Sequence, residues 1–443
     1  MQRLQDQPPL AIARGAGLWL YDCDGQRYFD AISSWWVNLF GHAHPRINAA
    51  IADQLATLPH VMLAGCTHAP AVELAERLSA LTGGVLGHAF YASDGASAVE
   101  IALKMSFHYW RNRGQGERRE FVCLRHSYHG ETLGALSVTD VAVFRDAYAP
   151  LLRQAHVVDA PDARQARPGE DARAPAQRAL AAMRALLQAR TGQIAAVIVE
   201  PLVQCAAGMA FYDPLYLRGL RVLCDEFEVH LIADEIAVGC GRTGSFFAFE
   251  QASLPGENVP LWPDFLCLSK GITGGTLPLS LVLSRDAIYE AFLHDEVARG
   301  FLHSHSYTGN PLACRAALAV LDCFEQEHVL AGNRQRAAAL TAALSPIGHD
   351  ARIEHFRQRG MIWAFDVRPE YLPAQFADRF HHSARQHELL MRPIGRTVYL
   401  MPPYAFDATQ AAWLGERVAA TLESVLSSFP PAHADRTPEP PTA

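Results

Sequence analysis

No two of the nine cysteines stand at C-x-x-C spacing, and several lie inside apolar runs. Cys23, Cys66, Cys123, Cys205, Cys224, Cys240, Cys267, Cys314 and Cys323 therefore read as free, mostly buried thiols of a reducing cytoplasm. Positive charge is in deficit as well. A formal net charge of −8 gives no basic footprint, which argues against nucleic acid and charged membrane surfaces as partners and leaves small molecules. Residues 1–10 are polar and proline-containing, without the basic and apolar stretches of a leader, and no apolar window reaches the roughly 18 residues of a membrane span. Export and membrane insertion are thus not expected, and there are no internal repeats. What the 443 residues do supply is apolar bulk, 50% hydrophobic against 19% charged, enough for a large core divided between one large and one small domain.

Two short strand-like runs, 18–21 and 27–30, flank Gly25 and predict a hairpin near the start. From about Pro45 to Asp286, helical patterns (71–81, 96–110, 215–227) alternate with short apolar strands (121–124, 194–199, 230–233, 265–268, 279–283). That alternation predicts an α/β domain around a mostly parallel sheet. Residues 161–177 read as a surface loop without chemistry, running into a helix over 178–190. A long helix is expected from Pro311 to about Glu327, then a smaller α+β region with strands near 361–367 and 398–401. The expected partition is 1–44 as the N-terminal part of the small domain, 45–310 as the large domain, 311–429 as the C-terminal small domain, and 430–443, with five prolines, as a disordered tail.

Two strand ends carry the chemistry. His230-Leu-Ile-Ala-Asp234-Glu235 is an apolar strand ending in an acid, and Phe265-Leu-Cys-Leu-Ser-Lys270-Gly271 is one ending in a lysine. Ligands of open α/β sheets bind at the carboxyl ends of the strands, so both side chains should enter one crevice. An Asp and a Lys there suit pyridoxal 5'-phosphate: Lys270 as covalent anchor, Asp234 keeping the pyridine nitrogen protonated so that the ring accepts carbanion electrons. Either residue alone reads equally well as a cap, an ion-pair member or a solvated lysine; the pair is the specific signal. Ala92-Ser-Asp-Gly-Ala-Ser97 opens a helix, whose free N–H groups and positive dipole end suit a phosphate, a plain N-cap being the alternative. The pairs His42 with His44 and His303 with His305 invite a metal reading, but no Cys or Asp nearby in sequence completes a ligand set, and no metal is expected.

Ile232-Ala-Asp-Glu-Ile-Ala-Val-Gly-Cys-Gly-Arg-Thr-Gly244 followed by Leu268-Ser-Lys-Gly-Ile-Thr-Gly-Gly275 resembles the class III aminotransferases of fold type I, over residues 17–404. The resemblance implies an α/β fold type I enzyme, with a large domain around a mostly parallel sheet and a smaller α+β domain, acting as a homodimer with sites at the interface. Within the class, Ser33-Ser-Trp-Trp36, His60-Val-Met62, Thr67-His-Ala-Pro70, Ala98-Val-Glu-Ile-Ala-Leu-Lys-Met105, Gly309-Asn-Pro-Leu-Ala-Cys314 and Tyr399-Leu-Met-Pro-Pro-Tyr404 are similar to the members that aminate 8-amino-7-oxononanoate in biotin biosynthesis. S-adenosyl-L-methionine is the donor most such members use, and lysine serves in some.

By the same resemblance, backbone groups of Asp94 and Gly95 hold the phosphate, and Tyr128 stacks on the cofactor ring and touches substrate. Ser306 reaches a phosphate across the dimer interface, and Ser304, in the same loop, meets substrate. Trp35 lines the substrate pocket with Trp36 structural, Arg392 pairs with the substrate carboxylate, and Arg242 is structural. Two absences, of a glutamate and of an arginine, narrow the substrate. Ornithine- and aminobutyrate-type relatives carry a glutamate after E-P-x-x-Q and an arginine before the P-P pair, where this chain has Cys205-Ala206 and Tyr399. Relatives also carry an H-P-Y-T-like string ahead of the hairpin, whose tyrosine contacts substrate; none precedes Trp35 here, which predicts a start further upstream or weak turnover of the chain as written. An ω-amino acid:pyruvate aminotransferase and a cofactor-binding dimer without turnover are the rival readings.

Overall fold

The computed structural model describes residues 9–254, 257 and 261–427, so the proline-rich tail lies outside the described residues. Strands Ile194–Val199, His230–Asp234, Phe265–Leu268 and Ser280–Ser284 are buried along their whole length, as continuous apolar runs must be when helices cover both faces of a sheet. They form the middle of a seven-stranded sheet. Its order is His88–Ala92, Ser280–Ser284, Phe265–Leu268, His230–Asp234, Ile194–Val199, Glu120–Leu124, His156–Val158. Only Ser280–Ser284 runs antiparallel to its neighbours. The expected α/β class and mostly parallel sheet are therefore present.

Strands His230–Asp234 and Phe265–Leu268 are parallel neighbours with Asp234 opposite Cys267, so their carboxyl ends open at the same sheet edge. Two edge strands, His88–Ala92 and His156–Val158, were not legible in the sequence: the second is three residues long, and the first is only partly buried over its first three residues. The helix expected over 178–190 begins earlier, as Arg173–Ala189, with Pro175 in its first turn, where proline costs no hydrogen bond. The surface loop expected at 161–177 is likewise corrected at its start. Pro161 and Asp162 are buried, and Arg164 bonds Asp162 at 2.7 Å and reaches the fully buried Asp366 at 3.5 Å.

Both ends of the chain meet in one sheet, where Leu389–Leu390 pairs in parallel with Arg27–Asp30 beside the N-terminal hairpin. Ile353–Arg359, Ile362–Val367 and Thr397–Leu400 make a separate antiparallel sheet. The helix Pro311–Gln326 packs on Pro45–Thr57 and Ala69–Leu81, which makes the apolar core continuous across residue 311.

One buried histidine sets an acid limit on this core. His230 stacks on Trp110 with ring centroids 4.6 Å apart and hydrogen-bonds Ser106 at 2.9 Å, and burial pulls its pKa down to about 4. Because the unfolded chain takes up this proton near pH 6.5 and the fold does not, the contribution is complete above that pH and is lost as pH falls toward 4. Between pH 7 and pH 5 the expected loss is roughly 2 kcal/mol in urea unfolding. His230→Gln should flatten that part of the profile, and an unchanged slope would assign the acid sensitivity to other groups.

Candidate active site

At the carboxyl edge of the sheet lies a cavity of about 310 Å³, walled by Trp36, Asp94, Gly95, Tyr128, His129, Glu200, Asp234 and Lys270. Asp234 arrives from its strand end almost fully buried and is pinned: Oδ1 accepts the Ile236 N–H at 3.1 Å, and Oδ2 meets His129 Nδ1 at 2.6 Å. His129 is itself buried, its backbone N–H held by Thr139 Oγ1 at 3.0 Å, while its Nε2 has no partner among the described residues. Sequence reasoning stopped at Tyr128 and missed this histidine, although it is the next residue in Ser127-Tyr-His-Gly130. Glu200 was missed too. Its carboxyl accepts the N–H groups of Tyr128 at 3.0 Å and Cys205 at 3.2 Å. Burial, with Asp234 adding to it and His129 opposing, pushes its pKa up to about 7.

Opposite stands the start of the 18-residue helix Gly95–Asn112, N-capped by Asp94, whose side chain accepts the Ser97 N–H at 2.9 Å. A Cβ at Gly95 would come within 2.9 Å of Ile236, so only glycine lets this helix end approach the loop after Asp234. Free N–H groups at such an end bind anions. Tyr128 lies on the cavity wall, its hydroxyl donating to Glu131 at 2.9 Å.

Lys270 follows its strand in a left-handed conformation, φ 48°, and its Nζ lies 4.7 Å from the centroid of the Trp36 ring. Burial holds its pKa below the ordinary lysine value, with Cys205, Asp234 and Glu200 opposing. The tryptophan beside it, expected to be structural, reaches the cavity of this chain. Trp36, not Trp35, lines the cavity: Trp36 is 5% exposed and donates Nε1 to the Tyr399 hydroxyl at 3.1 Å, whereas Trp35 is 58% exposed and outside the lining. The cause is the hand of the turn. Ser33, Ser34, Trp35 and Trp36 have φ of 51°, 46°, 74° and 73°, a left-handed turn built from four non-glycine residues. Each such residue costs roughly 1–2 kcal/mol, and nothing in the local sequence announces it.

The structure brings together Asp94, Gly95, Tyr128, Asp234 and Lys270 of the expected set, and leaves Ser304, Ser306 and Arg392 outside the cavity lining, exposed on the chain. Ser304 and Ser306 lie in a loop tied near the helix start through His305, whose Nδ1 is 3.3 Å from Ser93 Oγ. Arg392 is near enough to Tyr399 for its charge to lower the pull of burial on that phenol. Arg242, expected to be structural, is buried and donates to the carbonyls of Asn38 and Pro402 at 3.1 and 2.7 Å. His42 bonds Asp30 at 2.9 Å, and His303 bonds Lys104 at 2.9 Å. For His44 the fold supplies what the sequence did not, a cysteine and an acid: Cys323 and Glu327 bring their ligating atoms within 4.8 Å of it and of each other. Arg46, 3.8 Å from Glu327, already furnishes a counter-charge there.

These features fit pyridoxal 5'-phosphate: an amine of depressed pKa, a buried carboxylate, an aromatic wall and a helix N-terminus share one cavity. The class-III aminotransferase family model matches residues 1–422. An adenosylmethionine-8-amino-7-oxononanoate aminotransferase of Helicobacter pylori is 42% identical, covering 91% of this chain and 90% of that protein. The crystal structure of an enzyme of the same name from Methanocaldococcus jannaschii superposes with a TM-score of 0.87 at 32% identity, over 96% of this chain and 95% of that one. A pyridoxal-phosphate-bound amine transaminase from an uncultivated Pseudomonas species matches at 0.87 and 31%, over 95% and 96%. Family model, relatives and cavity agree along nearly the whole length, and the chain belongs to the class-III aminotransferases.

Proposed function

We propose that this aminotransferase uses pyridoxal 5'-phosphate to convert 8-amino-7-oxononanoate to 7,8-diaminononanoate, with S-adenosyl-L-methionine as amino donor. The observation that carries the reading is Asp234 and Lys270 on adjacent parallel strand ends, facing a helix N-terminus across one cavity. When bound, the cofactor supplies an electron sink for the carbanion left after the substrate carbon loses its proton. Lys270 anchors it and, once freed, carries that proton on Nζ; the depressed pKa keeps part of the amine neutral for the task. Asp234 holds a negative charge for the ring nitrogen, and His129 fixes the carboxylate's orientation. The N–H groups at Asp94 and Gly95 receive the phosphate, and Tyr128 and Trp36 close the walls.

Arg392 takes the substrate carboxylate, and Ser304 and Ser306 serve a site across a homodimer interface. The exposed Trp35, Met62, Leu302 and Tyr307 are apolar surface suited to burial in that interface. Tyr399 and Ala206, where other aminotransferases carry a switching pair of charges, support the acceptor named here, as do the names of the relatives. Among the described residues no helix is long and apolar enough to cross a membrane, and we place the enzyme in the cytoplasm. The partition into 1–44 with 311–429 and 45–310 remains the proposed domain division.

Single-turnover loss of the visible cofactor band tests the reading. S-adenosyl-L-methionine should bleach the band and 8-amino-7-oxononanoate restore it; bleaching by lysine alone would change the donor, and failure of the acceptor to restore the band would overturn the substrate. In the same assay Arg392→Ala should weaken the acceptor by roughly 2–5 kcal/mol, the range for truncating one member of a charge pair once bound substrate and the partner subunit bury it. Equal weakening of the donor would mean that both share the arginine, and no loss in either half would remove it from the site.

A further inference from the structure

The left-handed turn that carries Trp36 has a clamp. Asp30, fully buried at the end of strand Arg27–Asp30, accepts the Ser34 N–H at 2.8 Å on Oδ1 and the Ser34 hydroxyl at 2.7 Å on Oδ2. Oδ2 also meets His42 Nε2 at 2.9 Å, which fixes the carboxylate from the other side. Ser34 stands at φ 46° and ψ 52°, a left-handed conformation that glycine adopts without penalty. The turn's other anchor is Ser33 Oγ, donating to the Met401 carbonyl at 2.7 Å. A non-glycine turn of this hand persists only when its surroundings over-determine it. Its product is the face of the Trp36 indole laid beside Lys270 Nζ.

We infer that Asp30 is a positioning residue for the amino-transfer reaction: through Ser34 it holds the left-handed turn that keeps Trp36 against Lys270. The inference rests on Lys270 being the anchoring amine. Asp30 lies outside the cavity lining and reaches the site through its hydrogen bonds to the turn 33–36.

The experiment compares the wild-type holoenzyme with Asp30→Asn, Ser34→Ala and the double variant Asp30→Asn/Ser34→Gly. Two readouts are taken: kcat and KM, and the midpoint of the pH titration of the visible cofactor band. Asp30→Asn should lower kcat by about tenfold or more, the size expected when positioning is loosened, with a smaller change in KM. The titration midpoint should move down, because the ring face that favours a cationic nitrogen is withdrawn. Ser34→Ala, which keeps the buried charge, should shift both readouts the same way by less, and serves if Asp30→Asn does not fold. Glycine at 34 adopts the left-handed conformation unaided, so the double variant should recover most of both losses. A purely structural role for Asp30 predicts no such rescue. No rescue, or a Ser34→Ala enzyme with unaltered kcat and midpoint, overturns the inference; a wild type without a visible band overturns the cofactor reading instead.

Discussion

Lys270→Ala is expected to lower turnover by at least about four orders of magnitude, the upper range for losing a positioned acid–base group, and to remove the visible absorbance of the anchored cofactor. The side chain has two tasks at one atom. On the proposed reading its Nζ would bond the cofactor at rest and, once displaced, would carry the substrate's proton, a task for which burial prepares it by lowering its pKa. Among the described residues no second lysine lines the cavity to take over either task. The substitution should leave the fold intact: Lys270 begins a short 3-10 turn, Lys270–Thr273, whose buried members Gly271, Ile272 and Thr273 are untouched, and removing a charge from a desolvated site relieves a cost. Circular dichroism should therefore match wild type, and the cofactor-free forms should unfold with the variant no less stable than wild type. A variant that keeps its visible band would show that another lysine is the anchor.

Asp234→Asn is expected to keep a bound, visible cofactor while kcat falls by about 10²–10³, the usual effect of deleting one preorganised electrostatic partner. Asparagine is the same size, can still accept the Ile236 N–H on its oxygen, and can donate from its amide to His129 Nδ1 once that ring carries its proton on Nε2, so the packing survives while the charge is lost. The charge matters because the carboxylate is nearly fully buried, where little water screens it. The loss should appear in kcat of both half-reactions, since each needs the ring to accept electrons. Near-normal kcat would rule out the role assigned to Asp234.

Much of this was legible in the sequence because the signals are local. An apolar run such as 194–199 needs no partner to be identified as a buried strand, and an acid or lysine at the end of such a run is placed at the sheet edge by the geometry of α/β folds alone. Asp234, Lys270 and the helix opening at Gly95 were found in this way. Helix starts were less secure: Arg173–Ala189 begins at an Ala- and Arg-rich stretch whose apolar face is sparse.

The sequence by itself thus determined the class of chemistry and the parallel sheet that presents it, because hydrophobic periodicity and strand-end residues are properties of neighbours along the chain. Only the tertiary structure decided which tryptophan faces Lys270, that His129 and Glu200 join the cavity, and that Asp30 clamps the turn before it. Each of those depends on contacts between residues distant in sequence: His129 with Asp234, Glu200 with Tyr128, Ser33 with Met401, Trp36 with Tyr399. Side-chain direction in Ser33-Ser-Trp-Trp36 follows from a left-handed turn that four L-residues adopt only when such contacts offset its strain.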